Sequence, residues 1–325
     1  MLCPHITVRA ALLLCFSLLA TPAALTAQSD VCTTRIFPVK VMTESGRIVW
    51  GLTTDNFALS GKHQHIKPTL VTPDATIGRL LLVLDASGSM MNSRDSWEFY
   101  IRRAAALVQS LPSDMPVGFV AFGKTVEAQF PISTDRDALM TELENLSNRH
   151  NKLPGQAGTA LWDSLKNSLQ LFGAIRVGDM IYVISDGVDN ASQTSVSQFV
   201  RAAAPSRMFA MIPAVGVAGG PTSEERAGPN ELMRAVLFMG GTSVILRDPG
   251  SLFVPRDKIE RELLKSHDLP ETLANQTLQI LFTYLVEFQI PPSNTKNPHW
   301  NLEVTGIGEK NPMVLYSEEG SFCAQ

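Results

Sequence analysis

Arg79-Leu80-Leu81-Leu82-Val83-Leu84-Asp85-Ala86-Ser87-Gly88-Ser89-Met90 is the stretch that decides how the chain is read. Five consecutive aliphatic residues, 80–84, suit a strand covered on both faces. A strand in a helix-flanked parallel sheet is covered in that way, and a half-solvated antiparallel strand is not. The run ends on an acidic residue followed by a short polar turn. In an open α/β sheet that place, the carboxyl end of a strand, is where ligands bind.

Working outward, residues 95–111 place Trp97, Ile101, Ala104, Ala105 and Val108 on one helical stripe. Residues 117–122 read as a second buried strand, with 126–132 as its antiparallel partner across the Gly123-Lys124 turn. A helix over 135–146 opens at Thr134 or Asp135, and an amphipathic helix over 159–172 follows. A third buried strand spans 180–185; helix 195–204, strand 208–215, helix 231–239 and strand 243–246 complete the series. Apolar strands alternating with amphipathic helices predict an α/β fold. The fold expected for residues 76–250 is a doubly wound, mainly parallel sheet with one antiparallel edge strand.

The flanks have a different texture. Residues 35–42 and 47–50 suggest a hairpin, and 57–59 and 65–70 suggest further short strands, giving a β-rich lead-in over 28–75 with Thr72-Pro73-Asp74 as its junction. Residues 251–325 hold expected helices at 257–266 and 271–281, then strands at 283–290, 300–304 and 313–316 that return to the lead-in as one small β-module.

Residues 1–27 read as a signal peptide: one cationic residue, an apolar core over 10–20, then small residues and Pro, with cleavage expected near Ala27-Gln28. The core is short for a membrane span, which needs roughly 20 residues, and an uncleaved anchor is the alternative. No later segment is long and apolar enough to span a bilayer. An exported chain, periplasmic or secreted, is the expectation. Export leaves two of the four cysteines, Cys32 and Cys323, at the two extremes of the mature chain. Chain termini often lie close together, so a Cys32–Cys323 disulfide is expected, the alternative being two free thiols. The 325 residues are 45% hydrophobic and 18% charged, with a formal net charge of −4 and no Lys/Arg run. Disorder is thereby excluded, and nucleic acid is a poor partner.

Asp85, Ser87 and Ser89 are oxygen donors at alternate positions on one turn, with Gly88 expected to permit its tight backbone. Thr159 follows the glycine-containing segment 155–158 and opens a helix, and Asp186 ends the strand at 180–185. Three loops at one sheet edge would gather five oxygen donors and no sulfur or imidazole, the donor set of a hard divalent cation such as Mg²⁺, with Mn²⁺ or Ca²⁺ also compatible. Two carboxylates and three hydroxyls leave such an ion short of anionic ligands. Water fills the remaining positions until a partner's Glu or Asp takes one. Asp163 and Asp189 are candidates to orient these ligands. His63 and His65 are spaced to face one way on a strand, but no third ligand completes a site.

The segments 82–90, Gly158-Thr159-Ala160-Leu161 and Ile184-Ser185-Asp186-Gly187 resemble the three motifs of the von Willebrand factor type A domain. The resemblance implies a metal-ion-dependent adhesion site at Asp85, Ser87, Ser89, Thr159 and Asp186. It covers about residues 79–248. One departure is Ala157, where the family often has a second glycine; ligation is unaffected and the loop is stiffer. The lead-in and the closing strands are similar to a secreted acidobacterial subclass of these proteins. The implied function is an exported, non-enzymatic module that binds a protein's acidic side chain through a Mg²⁺-type ion. The alternatives are a metal-dependent hydrolase, which lacks an evident base near the motifs, and an envelope scaffold with a vestigial site. Oligomeric state is left open.

Overall fold

The computed structural model describes residues 33–43, 47–61, 64–74, 78–91, 94–149, 158–213, 223–246, 277, 280–290, 300–308, 312–316 and 322–323. The central sheet is built from β5 (Leu80–Asp85), β6 (Val117–Phe122), β7 (Val126–Ser133), β8 (Met180–Ile184), β9 (Arg207–Pro213) and β10 (Ser243–Leu246). Their order across the sheet is β10-β9-β8-β5-β6-β7. Every neighbouring pair is parallel except β6 and β7. The doubly wound sheet with one antiparallel edge is therefore the observed fold.

The aliphatic run explains the layering. Successive side chains of a strand point to opposite faces. Leu80, Leu82 and Leu84 pack with α1 (Arg94–Ser110) and α2 (Arg136–Asn148). Leu81 and Val83 pack with α3 (Leu161–Ser168), α4 (Val196–Ala203) and α5 (Ser223–Phe238). All five are at most 1% exposed, and each contributes roughly 1.5–3 kcal/mol by leaving water. Trp97 and Trp162 are buried in the two opposite layers. Asp135 caps α2 by accepting the Ala138 amide, as its position in the sequence suggests.

At the amino-terminal edge of the same strands, Arg79 clamps the sheet. Its Nε and Nη2 donate to the two carboxylate oxygens of buried Asp179 at 2.8 and 2.6 Å, and its guanidinium also donates to the carbonyls of Phe172 and Ala174. Bidentate geometry of this kind is the strong form of an ion pair.

The second module joins both ends of the described chain. β1 (Thr34–Met42) lies between β11 (Thr283–Gln289) on one side and β13 (Met313–Tyr316) with β14 (Phe322–Cys323) on the other, and β4 (Leu70–Asp74) completes this antiparallel sheet beyond β11. A small sheet orders β12 (Asn301–Val304), β2 (Phe57–Gly61) and β3 (Gln64–Ile66). Phe37, Val39, Phe57, Tyr284, Phe288 and Trp300 form part of their shared core.

Several local readings change. The expected 35–42/47–50 hairpin reduces to a single bridge between Met42 and Ile48, because both edges of β1 are occupied by strands from the far end of the sequence. The 65–70 strand is two strands in different sheets, parted at Pro68. Thr72-Pro73-Asp74 is not a junction but part of β4, an outer strand where Pro73 is tolerated without a backbone donor. α5 begins at Ser223 rather than at residue 231, and holds Pro229 inside it. The expected helix at 257–266 lies outside the described residues, and of 271–281 only Thr277, Ile280 and Leu281 are described, as helix. The signal peptide and Cys32 also lie outside them. Among the described residues no helix is long and apolar enough to cross a membrane.

One residue of β1 conflicts with its surroundings. Lys40 is 1% exposed, and its Nζ has no hydrogen-bond partner among the described residues. It lies 4.5 Å from the centre of the Phe209 ring of β9. Burial, and then the nearby Arg207 guanidinium, push its amine well below the usual lysine range. The ring face offsets only part of the lost hydration. Because the folded pKa is depressed, this position costs least at alkaline pH, and the stability falls as pH drops from the ordinary lysine range toward the folded pKa. Lys40→Met is therefore expected to stabilise the fold at neutral pH by roughly 1–3 kcal/mol. The gain should shrink as pH rises toward 10, near the ordinary lysine value, read by urea unfolding at several pH values.

Candidate metal centre

β5 has β6 on one side and β8 on the other, so the chain reverses its direction of winding between β5 and β8. A crevice opens at the carboxyl ends of strands where this happens. Asp85 is the last residue of β5, and Asp186 follows the end of β8 by two positions. The parallel register carries Leu84 opposite Ile184, which brings the two acidic residues to the same edge.

Asp85 is 1% exposed and Asp186 4%. The Asp85 Oδ1 accepts the Ser87 amide at 2.9 Å, closing the turn on itself. Its Oδ2 accepts the Ser185 hydroxyl at 2.6 Å. Asp186 Oδ1 accepts the Val188 amide at 3.0 Å. Burial, and then the neighbouring Asp186 charge, push the Asp85 carboxyl up to about 7, against the opposing hydrogen bonds from Ser185 and Ser87. Ser87 and Ser89 hold their hydroxyl oxygens 3.1 Å apart. Ser87 is buried and Ser89 exposed, so the turn presents its open side at Ser89.

Thr159 is buried in the loop before α3 rather than opening that helix, whose cap is Ala160. Its amide donates to Asn190 Oδ1 at 2.8 Å, and its carbonyl accepts the amides of Asn190 and Ala191, each at 3.1 Å. These bonds use backbone atoms and leave the Thr159 hydroxyl available. Gly158 before it has φ +109°, a conformation that suits glycine.

Asp189 Oδ1 accepts the amides of Leu161 and Ser192, both at 3.2 Å. Asp163 accepts the amides of Gln193 at 3.0 Å and Thr194 at 2.9 Å. The Thr194 hydroxyl and these amides hold the Asp163 carboxyl below its usual range. The two aspartates fasten the start of α3 to the loop after Asp186, so they act on the spacing between Thr159 and Asp186.

Three features were not legible in the motifs. Ser185 joins the Asp85 turn to the Asp186 loop, and its signal, a hydroxyl just before Asp186-Gly187, is weak. Asn190 holds Thr159 from a loop position with no distinctive spacing. Gly187 (φ +80°) meets Gly228 of α5 so closely that a Cβ on it would lie 2.5 Å from the Gly228 carbonyl oxygen. The expectation for Gly88 is not upheld: it has no positive φ, and nothing lies within 4 Å of a Cβ placed there. His65 sits on β3, away from this edge, and His63 lies outside the described residues. No three His, Cys, Asp or Glu side chains gather anywhere among the described residues, so the carboxylates here are a pair flanked by hydroxyls.

Residues 80–188 match the von Willebrand factor type A domain family. No curated protein matches the chain. Among solved structures, the conserved hypothetical protein BatB from Bacteroides thetaiotaomicron is 19% identical, over 61% of this chain and 98% of its own, with a TM-score of 0.41. An aerotolerance-related membrane protein from Bacteroides fragilis is 18% identical, over 62% of this chain and 98% of its own, with a TM-score of 0.40. A von Willebrand factor type A protein from Catenulispora acidiphila is 14% identical, over 89% of this chain and 75% of its own, with a TM-score of 0.43. The family match spans β5 to the loop after β8, the same segment that carries the parallel core and its two acidic strand ends. The chain contains a von Willebrand factor type A domain.

Proposed function

We propose that this domain is a metal-dependent protein-binding module. Asp85, Ser87, Ser89, Thr159 and Asp186 hold a divalent cation of the Mg²⁺ type, with Mn²⁺ and Ca²⁺ as the other candidates. The observation that carries the reading is a fully buried carboxylate, Asp85, beside a second, Asp186, with hydroxyl and amide donors on Asp85. A buried like-charge pair is unfavourable unless a proton or a cation intervenes. The donors are hard oxygens of the kind such ions take. When bound, the ion supplies a positive coordination position that accepts a Glu or Asp from a protein partner. The chain's own residues position it: Asp189, Asn190 and Asp163 fix the loops, and Ser89 marks the open side.

Binding rather than catalysis is the reading favoured, because no histidine stands in the three motifs and the Asp163 and Asp189 carboxylates are used to accept backbone amides. Export and a Cys32–Cys323 bridge belong to the same proposal. The register of β14 supports the bridge by placing Cys323 opposite Arg35, three residues along the sequence from Cys32.

Thermal unfolding of residues 28–325 tests the site directly. A native-state ion at 100 times its dissociation constant adds about 2.7 kcal/mol, so Mg²⁺ or Mn²⁺ should raise the melting temperature of wild type by a few degrees over EDTA. Asp186→Ala should lose that rise; an equal rise in the variant would sink the site.

A pH series follows from the same geometry. The Asp85 carboxyl titrates near 7 when folded and near 4 when unfolded. The metal-free fold binds the extra proton between those values, so its stability falls as pH rises from about 4 to 7. Asp85→Asn should flatten this slope in EDTA, measured by melting at pH 4.5, 6 and 8. Thiol titration of the denatured mature protein checks the bridge: no free thiol is expected without reductant, and two are expected after reduction.

A further inference from the structure

The proposed cation site leaves unexplained why the residue just before Asp186 is a buried hydroxyl. Ser185 is 0% exposed and stands where β8 gives way to the Asp186 loop. Its Oγ lies 2.6 Å from Asp85 Oδ2 and 2.9 Å from the Gly187 amide nitrogen. We propose that Ser185 is a positioning residue for the cation, its hydroxyl locking the Asp85 carboxylate to the loop that carries Asp186. The inference rests on the functional reading above and deepens it.

The polarity of this link is dictated by its donor end. An amide can only donate, so the Gly187 N–H takes a lone pair of Oγ. The hydroxyl has a single proton, and it is turned toward Asp85. The 2.6 Å separation is that of a charge-assisted O–H···O⁻ bond. The arrangement therefore suits a carboxylate in its ionised, ligand-competent form.

The link also removes a rotation. With Ser87 donating to Oδ1 and Ser185 donating to Oδ2, the Asp85 carboxylate is held at both oxygens and its plane is set. Without Ser185 the carboxylate is held by Ser87 alone, through its amide and its hydroxyl, and loses its tie to the loop that carries Asp186. Because the same Oγ anchors Gly187, the hydroxyl couples the two acidic strand ends through one atom. Gly187 is itself pressed against Gly228 of α5, so the loop end of the link is backed by a helix and does not yield. Residues that orient metal ligands in this way typically govern affinity by 10–100-fold, at order of magnitude.

The test uses residues 28–325 as wild type, Ser185→Ala and Ser185→Thr, with free Mn²⁺ measured by electron paramagnetic resonance and melting followed in EDTA. Expected is a Mn²⁺ affinity about 10–100-fold weaker in Ser185→Ala, in a protein that still melts cooperatively in EDTA, and recovery in Ser185→Thr, which keeps the hydroxyl. Ser185→Ala that melts lower in EDTA yet binds Mn²⁺ as wild type does would make the serine merely structural and overturn the inference. So would Ser185→Thr that melts as wild type does but binds as weakly as the alanine variant. Wild type that binds no Mn²⁺ would overturn the cation site itself, and this inference with it, whereas intact wild-type binding with an unaffected alanine variant sinks the inference alone.

Discussion

Two carboxylates, those of Asp85 and Asp186, are buried at the ends of adjacent parallel strands, and much of the domain is arranged around making that arrangement tolerable. Left to itself, such a pair would separate or take up a proton. Here the register of β5 against β8 holds the two strand ends together, while donors are supplied from three sides: the Ser87 amide, the Ser185 hydroxyl and the Val188 amide. The local cost is met by a core in which the strands behind the acids are sealed between two helical layers.

The same strands divide labour along their length. At their amino-terminal edge, Arg79 and Asp179 form a complete, mutually neutralised pair with further bonds to the backbone. At their carboxyl edge Asp85 meets the like charge of Asp186, opposed by hydrogen bonds from Ser185 and Ser87. The closed arrangement is the stabilising one. The loop after Asp186 is stitched to the start of α3 by Asp163, Asp189, Asn190 and Ser192, which so set where Thr159 stands.

The β-module is a different kind of object. Its central strand, β1, takes its neighbours from the far end of the chain. Such pairings carry a loop-closure cost before they return any stabilisation, which makes the large apolar side chains of this core, among them Phe37, Tyr284 and Phe288, the source of its stability. Lys40 is the one cationic residue of β1 that this packing swallows without a hydrogen bond among the described residues, and the module touches β9 of the central sheet at that point.

The continuous aliphatic run at 80–84, the helical stripe through Trp97 and Val108 and the acidic strand ends were legible because each is a local pattern whose period or composition states its own burial. These patterns determined the parallel sheet, its antiparallel edge and the edge at which Asp85 and Asp186 stand. Where neighbours come from afar, local reading fell short: residues 47–50 look like a hairpin strand, yet β13 and β11 occupy β1 instead, and Pro73 looks like a break although β4 uses it on an outer strand. Gly88 reads as permitting a tight turn, yet its φ is not positive and a Cβ there meets nothing within 4 Å, whereas Gly187 is confined by Gly228 from a helix some forty residues away. The sequence by itself determined which residues prefer to be buried and which oxygens end the strands. Only the tertiary structure decided that Ser185 would face Asp85, because that contact joins residues a hundred positions apart and depends on strand register, which no local pattern encodes.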